Sequence, residues 1–341
     1  MAVELFHTNY GALLVGNSLE VLRALRPSSI SLVVTSPPYL LSPSVQRDYA
    51  APVNEAAYLT WLKPFAEAIK TALHPDGSFV LNIAGAWNKG VPTRSLFHAK
   101  LLLLLVEDIG FHLAQEMYWW NPSKMPAPAE WTNIRRIRLK DAVEHIWWLS
   151  PTPWPKADNR RVLAPYSKSM KRALKTKRNF KDGASPSGHH ALHPDQPMAD
   201  LGGSIAPNLL AVSNAASNDG YLRYCKEKGL KPHPARFPTD LPGFFIRLLT
   251  DPDDVVIDPF AGSATTGEAA ERLKRRWLCI ELDEKYAQGA KGRFDAPQTS
   301  KKISTTYELA HPNAFRDIAD RPMKIGNGQT RTPPPLEKND G

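Results

Sequence analysis

A hydroxyl, two prolines and an aromatic ring follow one another at Ser36-Pro37-Pro38-Tyr39, directly after the apolar run SLVVT. Each proline fixes φ and lacks an N–H donor, so the carbonyl groups before them can be held outward as acceptors beside the Ser36 hydroxyl. Acceptors that engage both hydrogens of an amine conjugated to a nucleobase free its lone pair to attack a sulfonium methyl. Tyr39 can stack on the base and orient it. The alternative is that these residues form only a stiff turn.

A second candidate site lies in residues 255–267, VVIDPFAGSATTG, which predict a buried strand, a turn and the start of a helix. Gly262 lets the backbone pass close to a ligand, and Asp258 can accept a hydrogen bond from an ammonium group or an ordered water. Nineteen residues after Gly262, Glu281 ends the next predicted strand. A carboxylate there can accept hydrogen bonds from both ribose hydroxyls of an adenosine. The pattern predicts a nucleoside pocket at the carboxyl edge of a sheet.

The spacing Gly262-x-Ala264-x-x-Gly267 also loosely matches a dinucleotide-binding fingerprint, and a structural tight turn would explain it as well. A pyrophosphate dianion would lie close to Asp258, which is electrostatically unfavourable. The same acid suits the positively charged amino-acid end of S-adenosylmethionine. An NAD-dependent oxidoreductase would also leave the Ser-Pro-Pro-Tyr turn unexplained.

Apolar runs and amphipathic stretches alternate along the chain from residue 12 onward. Helices are predicted over 55–73, where the breaker at 74–77 ends the pattern, and over 94–109. Strands that alternate with helices predict an α/β fold with a doubly wound, mostly parallel sheet. The two candidate sites should converge where the strands of this sheet end. The predicted strands are ALLVG, SISLVVT, SFVLNIAG, FHLAQEMYWW, DAVEHIWWLS, DVVIDPF and RRWLCIEL.

The composition changes near Pro151, where regular periodicity gives way to Pro, Lys, Arg, Ser and Gly. Residues 1–150 and 231–294 are predicted to be the two halves of one α/β domain, with 151–230 as an inserted DNA-binding region. Residues 295–341 are polar and rich in proline, which predicts a disordered tail.

The net charge of the 341-residue chain is +9, and residues 156–181 contain ten basic residues against one acidic residue. The difference of nine equals the whole net charge. The segment is either a solvated loop or a contact for a polyanion. Nearby aromatic residues add stacking to the charge, which is what contact with nucleic acid needs. The candidate DNA-binding residues are Lys156, Arg160, Arg161, Lys168, Lys171, Arg172, Lys175, Lys177, Arg178 and Lys181.

The two cysteines, Cys225 and Cys279, lack CxxC spacing. A disulfide framework or a cysteine zinc site is therefore not expected, no metal is expected, and a reducing compartment fits. Neither cysteine follows a proline, as the nucleophile of cytosine-C5 methylation usually does. The amino terminus shows no signal peptide, and the apolar run 101–106 is too short to cross a bilayer. The sequence predicts a cytoplasmic protein.

The order of the segments, with TSPPY first, a basic middle and DPFAGS-x-TTG near the end, resembles the β-class amino-methyltransferases of type II restriction–modification systems. Ser36 stands where adenine-modifying relatives usually have Asp or Asn, and so resembles the cytosine-N4 branch. The similarity extends over about 290 residues and includes GVPTRS, NPSKMPAPAEW and HPARFP. It implies a Rossmann-like S-adenosylmethionine-dependent methyltransferase fold in circularly permuted order.

The resemblance implies that the residues Ser36 to Tyr39 hold a flipped cytosine by its amine. It also implies that the segment from His233 to Pro238 packs against the methionine end of S-adenosyl-L-methionine. The cofactor-binding residues that it implies are Asp258, Phe260, Ala261, Gly262, Ser263, Thr265, Glu281, Asn17, Phe237 and Pro238.

Three residues depart from the pattern of the family. Asn17 stands where an acid often bonds the adenine, Ala264 where a glycine is usual, and Asn82 where close relatives have an Asp. The proton acceptor is therefore left unassigned.

The resemblance implies a monomeric enzyme that methylates cytosine N4 in double-stranded DNA, alongside a restriction endonuclease but without a stable complex. Adenine-N6 methylation by the same machinery is the near alternative. An NAD-dependent oxidoreductase and a non-catalytic DNA-binding protein are more distant ones.

Overall fold

A computed structural model of the chain describes residues 2–40, 52, 54–176, 200–214 and 220–294. Within this part of the chain, nine strands form a single sheet. The strands are β1 (Val3–His7), β2 (Gly11–Val15), β3 (Ile30–Thr35), β4 (Leu73–Ile83), β5 (His112–Trp120), β6 (Val143–Ser150), β7 (Leu209–Ala211), β8 (Val255–Asp258) and β9 (Arg276–Glu281). Their order across the sheet is β1-β2-β9-β8-β3-β4-β6-β5-β7.

The centre of the sheet is parallel, as the alternation of elements predicts. β2, β9, β8, β3 and β4 run in one direction. β1 and β6 run against their neighbours in this group, whereas β5 and β7 point the same way as the central strands. We call the side on which the central strands end the carboxyl edge and the opposite side the amino edge. β6 begins at the carboxyl edge because it runs in the reverse direction.

Helices pack on both faces of the sheet. In the described residues they are α1 (Ser18–Ala24), α2 (Glu55–Ala72), α3 (Phe97–Leu103), α4 (Lys168–Thr176), α5 (Gly220–Glu227), α6 (Asp240–Leu249), α7 (Thr265–Arg272) and α8 (Glu284–Ala290). Phe65 of α2 and Phe97 of α3 belong to the core on one face, and Phe245 of α6 and Ala269 of α7 belong to the core on the other. The doubly wound prediction is therefore confirmed.

The central strand β3 is apolar because it is covered on both sides, as strands of parallel sheets usually are. All six of its residues are buried. Val33 points into the core that contains α2, whereas Leu32 and Val34 point into the core that contains α6. β8 follows the same alternation, with Ile257 on the first face and Val256 on the second. The register Leu32↔Val256 and Val33↔Ile257 places the ends of these two strands side by side.

Four elements of the described residues were not predicted from the sequence: β1, β7, α4 and α5. β1 and β7 are the outermost strands of the sheet, so their pattern is not the buried apolar run typical of the centre. The helix predicted over 94–109 begins at Phe97, and a turn of π-helix over Leu104–Asp108 extends it. The predicted breaker at 74–77 does end α2, but these residues lie within β4, beside a register shift between Ile30 and Leu32.

The region predicted as an insert, 151–230, is joined to the sheet where the structure describes it. β7 pairs with β5, and the Lys156 N–H donates to the Asp76 carbonyl at 2.8 Å. The tail over 295–341 lies outside the described residues. In the described part of the chain, no helix combines the length and the apolar character needed to span a bilayer.

Candidate active site

Asp258 ends β8 at the carboxyl edge, and its carboxylate joins the two segments singled out in the sequence. Oδ1 accepts from the Thr35 hydroxyl at 2.6 Å, although the two residues are 223 positions apart. Oδ2 accepts from the Thr266 hydroxyl at 2.6 Å, and the Phe260 N–H donates to Oδ1 at 3.1 Å. Thr35 immediately precedes Ser36, so the structure brings the Ser-Pro-Pro-Tyr turn beside the glycine loop.

The Asp258 carboxyl is almost completely buried, with 1% of its surface exposed. Burial disfavours the charged form and raises the pKa of Asp258 from 3.8 to about 6, although the three hydrogen bonds act in the opposite direction. The groups that donate these hydrogen bonds, two hydroxyls and a backbone amide, are all neutral. A cation brought next to Asp258 would therefore relieve a desolvation cost that the free protein carries.

The loop after β8 lets a ligand come close to its backbone at Gly262. Gly262 has φ +53°, and a Cβ there would lie 3.2 Å from the His233 ring. The next strand end, Glu281, holds the loop: its Oε2 accepts from the Gly262 N–H at 2.7 Å and its Oε1 from the Asp283 N–H at 2.9 Å. Each carboxylate oxygen keeps a further lone pair. Burial raises the pKa of Glu281 as well.

Ala264 adopts a left-handed conformation with φ 55° and ψ 38°, just before α7 begins. A left-handed backbone strains any residue with a Cβ, and the glycine that the sequence resemblance led us to expect at this position would avoid that strain. The side chain is fully buried, so the methyl group fills space at the base of the loop.

Arg293 holds the loop from behind. Its Nε donates to the Ser263 carbonyl at 2.6 Å and its Nη2 to the Ser263 hydroxyl at 2.9 Å. Its Nη1 pairs with Glu268 Oε2 at 2.6 Å. The Ser263 hydroxyl also lies 3.1 Å from the Thr265 hydroxyl. Ser263 and Thr265 are both buried, so their side chains set the shape of the loop from within the protein.

The remaining predicted cofactor residues lie in this loop or on other elements of the fold. The Phe260 ring packs on the rings of Trp61 and Phe65 at centroid distances of 5.6 and 5.1 Å. The buried Ala261 donates its N–H to Ile280 at 3.0 Å. Phe237 packs against the core on the α6 side, and the Pro238 carbonyl accepts from the Leu241 N–H.

Asn17 caps α1, since its Oδ1 accepts from the Leu19 N–H at 3.0 Å. A contact of Asn17 with an adenine would therefore use Nδ2.

A hydrogen-bond network lies at the Ser-Pro-Pro-Tyr turn. The Ser36 hydroxyl donates to the Tyr39 oxygen at 2.8 Å, and the Tyr39 hydroxyl donates to Glu144 Oε2 at 2.8 Å. Asn82 Nδ2 donates to the Tyr39 oxygen at 2.7 Å and to Glu144 Oε2 at 3.1 Å. Lys124 Nζ is 2.6 Å from Glu144 Oε1. Pro37 is buried and Pro38 half-buried, so the turn is anchored against this network.

The structure does not bring all ten predicted DNA-binding residues to the carboxyl edge. Lys156 pairs with Asp254 and Asp251, which precede β8 and so lie at the amino edge. Arg161 Nη2 also pairs with Asp251, at 2.6 Å, and Arg160 pairs with Asp158 at 2.8 Å. These three residues are therefore bound to acids on the far side of the sheet. Lys168, Lys171, Arg172 and Lys175 lie exposed in or beside α4, whereas Lys177, Arg178 and Lys181 lie outside the described residues.

Sequence reasoning missed the connection between β5 and β6, residues 121–142, which leaves and re-enters the sheet at the carboxyl edge. It contains five basic and two acidic residues. Large apolar side chains are exposed in the same stretch, including Met125 at 78% and Leu139 at 89%. Its basic residues are Lys124, Arg135, Arg136, Arg138 and Lys140. The run RRIRLK, which lies between two predicted strands, is the sequence feature that could have indicated this basic connection.

Residues 30–292 match the N6_N4_Mtase family, described as DNA methylase. The chain is 45% identical over 304 residues to the type II methyltransferase M.PvuII of Proteus hauseri, covering 89% of each protein. It is 25% identical to the type II methyltransferase M.ScaI of Streptomyces caespitosus, covering 84% of this chain and 81% of that protein. The solved structure of the PvuII DNA methyltransferase (cytosine-N4-specific) matches with a TM-score of 0.69 and 40% identity, covering 92% of this chain and 93% of that one.

The glycine loop, the buried Asp258 and the half-buried Glu281 lie beside the Ser-Pro-Pro-Tyr turn at the carboxyl edge, where doubly wound α/β enzymes bind their ligands. The match over most of the chain is specific: this protein belongs to the N6_N4_Mtase family of DNA methylases.

Replacing Arg293 with Met should lower the free energy of unfolding by about 3–5 kcal/mol, because Glu268 would remain as a buried carboxylate without its buried partner. Urea unfolding followed by tryptophan fluorescence measures the change. Arg272→Met is the matched control, since Arg272 pairs with the same carboxylate but is 63% exposed. A loss of at most about 1 kcal/mol is expected for this control. Equal losses in the two variants would contradict the role given to Arg293.

Proposed function

We propose that this DNA methyltransferase transfers a methyl group from S-adenosyl-L-methionine to the exocyclic N4 of a cytosine in duplex DNA. The observation that supports it most directly is the Thr35–Asp258 hydrogen bond of 2.6 Å, which joins the amine-holding turn to the glycine loop. The similarity to M.PvuII, and to the structure of a cytosine-N4-specific methyltransferase, favours cytosine N4 over other amines.

The residues at the carboxyl edge fit S-adenosylmethionine. Asp258 is buried, receives only neutral donors in its three hydrogen bonds, and suits the ammonium group of the methionine end. Glu281 has a lone pair on each oxygen beyond its two backbone contacts, enough for both ribose hydroxyls. Gly262 gives the cofactor a bare backbone, with His233 beside it. When bound there, the cofactor supplies an electrophilic methyl group on a sulfonium sulfur.

The chain's own residues prepare the amine. Ser36 Oγ donates its proton to Tyr39 and receives only a long contact of 3.5 Å from Asn82 Nδ2, so it can accept a hydrogen bond from a donor in the pocket. Together with the carbonyl groups held by Pro37 and Pro38, it engages the two N4 hydrogens and localises the lone pair on nitrogen. A cytosine inside a duplex cannot reach this turn, so the base has to leave the stack. Tyr39 acts through its hydroxyl, and the exposed part of its ring remains for contact with the base.

DNA contacts the carboxyl edge through the 121–142 connection. Phosphates attract its basic side chains, and its exposed apolar side chains can occupy space that an extruded base leaves in the stack. Stacking of guanidinium groups on rings stiffens the surface: Arg138 lies 3.9 Å from the centre of the Trp87 ring, and Arg135 lies 5.1 Å from that of Trp131. The exposed basic residues of α4 stay predicted DNA contacts.

In the cell, the protein would protect DNA within a restriction–modification system. The palindrome CAGCTG, which the sequence resemblance suggests, is the first sequence to test. A monomer that modifies one strand at a time is sufficient for a palindrome. We place the enzyme in the cytoplasm. It functions alongside a restriction endonuclease but forms no stable complex with it.

Incubation of duplex DNA with the enzyme and labelled cofactor should yield N4-methylcytosine, identified after digestion to nucleosides. Ser36→Ala should reduce single-turnover transfer about 100-fold, because it removes one acceptor for the amine, while cofactor affinity remains unchanged. N6-methyladenine as the product would establish the adenine alternative. A wild-type rate in Ser36→Ala would refute the role of Ser36.

Cofactor affinity should depend on pH through Asp258. Its carboxyl, with a pKa of about 6, must lose a proton to face an ammonium group, so the association constant should rise about tenfold per pH unit below 6 and level off above it. Calorimetric titration from pH 5 to 8 measures this, and Asp258→Asn should flatten the dependence. Glu271→Gln is the control: burial also raises the pKa of Glu271, but this acid contacts Thr8 and Trp277 at the amino edge. A pH-independent wild type would contradict the assignment.

Arg136→Ala should weaken binding to duplex DNA and reduce the slope of log affinity against log salt by about one, as loss of a phosphate contact does. Fluorescence anisotropy at several salt concentrations measures the slope. Arg160→Ala is the control, because Arg160 is equally basic and exposed but pairs with Asp158 at the amino edge. A larger effect of Arg160→Ala would place the DNA on the opposite side of the sheet.

A further inference from the structure

The Tyr39 hydroxyl is the centre of a hydrogen-bond chain with a defined direction. Its oxygen accepts from Ser36 Oγ at 2.8 Å and from Asn82 Nδ2 at 2.7 Å. A phenol oxygen that accepts two such bonds has only its own proton left to donate, and that proton goes to Glu144 Oε2 at 2.8 Å. The chain therefore runs from Ser36 through Tyr39 to Glu144.

Glu144 is suited to end this chain. It lies at the start of β6, at the carboxyl edge, and only 9% of its surface is exposed. Oε2 accepts from Tyr39 and Asn82, and Oε1 pairs with Lys124 Nζ at 2.6 Å. Such partners offset the cost of burying the carboxylate. The side chain of Lys124 reaches it from the 121–142 connection, so the surface proposed to meet DNA also holds this acid.

Asn82 shows that the network is arranged around the carboxylate. Its Nδ2 donates to both Tyr39 and Glu144, while its own Oδ1 is buried without a hydrogen-bond partner in the described part of the chain. An unpaired buried carbonyl oxygen costs free energy. The amide keeps this orientation because the reverse one would place an acceptor against a carboxylate.

We propose that Glu144 is a positioning residue for methyl transfer and the final acceptor of the proton that the target amine loses; this inference rests on the proposed function. The Glu144 carboxylate accepts the Tyr39 proton in a hydrogen bond, and the Tyr39 oxygen therefore accepts the Ser36 proton. Ser36 is thereby left as an acceptor toward the amine.

The reaction balances along this chain. The amine lone pair forms a bond to the methyl carbon, the carbon–sulfur bond breaks, and its electron pair stays on sulfur. The methylated nitrogen then carries a positive charge and gives one proton to Ser36 Oγ. Ser36 passes its own proton to Tyr39, and Tyr39 passes its proton to Glu144, which becomes a neutral acid and later releases the proton to water.

Tyr39 relays the proton without holding a negative charge. Burial first, and the neighbouring Glu144 second, raise the pKa of Tyr39 well above its ordinary value. The phenolate is therefore strongly disfavoured, and the charge stays on the carboxylate that Lys124 pairs with.

Glu144→Gln should lower the single-turnover rate of methyl transfer about 100-fold, the range expected for loss of a proton acceptor, with dissociation constants for cofactor and DNA within about twofold of wild type. An amide at this position can donate to Tyr39 and so reverse the chain. Glu116→Gln is the matched control, because Glu116 lies on the adjacent strand β5 and contacts His145 at 3.3 Å without joining the network. It should keep the wild-type rate.

A second variant distinguishes the proposed role from simple packing. Asn82 Nδ2 lies 2.7 Å from the Tyr39 oxygen, so the substitution Asn82→Asp places a carboxylate oxygen where it can accept the Tyr39 proton. Asn82→Asp combined with Glu144→Gln should therefore recover most of the lost rate. Tyr39→Phe should be as slow as Glu144→Gln, and combining these two should cause little further loss, since both interrupt one chain.

A wild-type rate in Glu144→Gln would overturn the proposal. The proposal would equally be overturned if the double variant, Asn82→Asp with Glu144→Gln, were no faster than Glu144→Gln alone. If Glu144→Gln does not fold, Tyr39→Phe decides, and a wild-type rate there has the same consequence. Absence of N4-methylcytosine with the wild-type enzyme would instead refute the proposed function.

Discussion

The parallel register between β3 and β8 is the constraint on which the site depends. It places Thr35 and Asp258 at the same level of the sheet, where the hydroxyl donates to the carboxylate at 2.6 Å. The Ser-Pro-Pro-Tyr turn, which we propose holds the amine, follows Thr35 directly, and the loop that contains Gly262 follows Asp258. A shift of one residue would turn every side chain of β3 to the opposite face and separate the two. Because both strands are covered by helices, the register is strongly specified.

Three carboxylates at the carboxyl edge, the buried Asp258 and Glu144 and the half-buried Glu281, have different hydrogen-bond partners, and the difference separates their proposed roles. Asp258 receives neutral hydroxyl and amide donors, so its charge is left for a ligand cation. Glu281 receives two backbone N–H groups and keeps lone pairs for hydroxyl donors. Glu144 has a lysine ammonium at 2.6 Å, so its charge is already matched and can direct a proton chain. Because the local dielectric constant is low away from solvent, each of these hydrogen bonds and ion pairs has a large effect on the free energy.

Much of the fold and part of the site could be predicted from the sequence. Apolar runs bounded by turns identify central strands such as β3 and β8, and the topology of parallel sheets then requires their ends to meet. Glu144 could not be found in this way, because the sequence predicted the strand that contains it but not which strands lie next to that strand in the sheet. Only the antiparallel pairing Asn82↔Ile146 and Ile83↔His145 brings the start of β6 to the end of β4. Edge strands such as β7 were missed because they lack the buried pattern.

The charge of the protein illustrates a further limit of sequence patterns. A run of basic residues over 156–181 predicts a polyanion contact, yet Lys156 and Arg161 belong to an ion-pair cluster with Asp251 at the amino edge. Pairing with acids removes the long-range attraction that such residues would otherwise exert on DNA. The 121–142 connection has a smaller excess of basic residues, but its position at the carboxyl edge directs that excess toward the site. The role of a charged residue therefore depends more on its position relative to the strand ends than on the number of charged residues near it in the sequence.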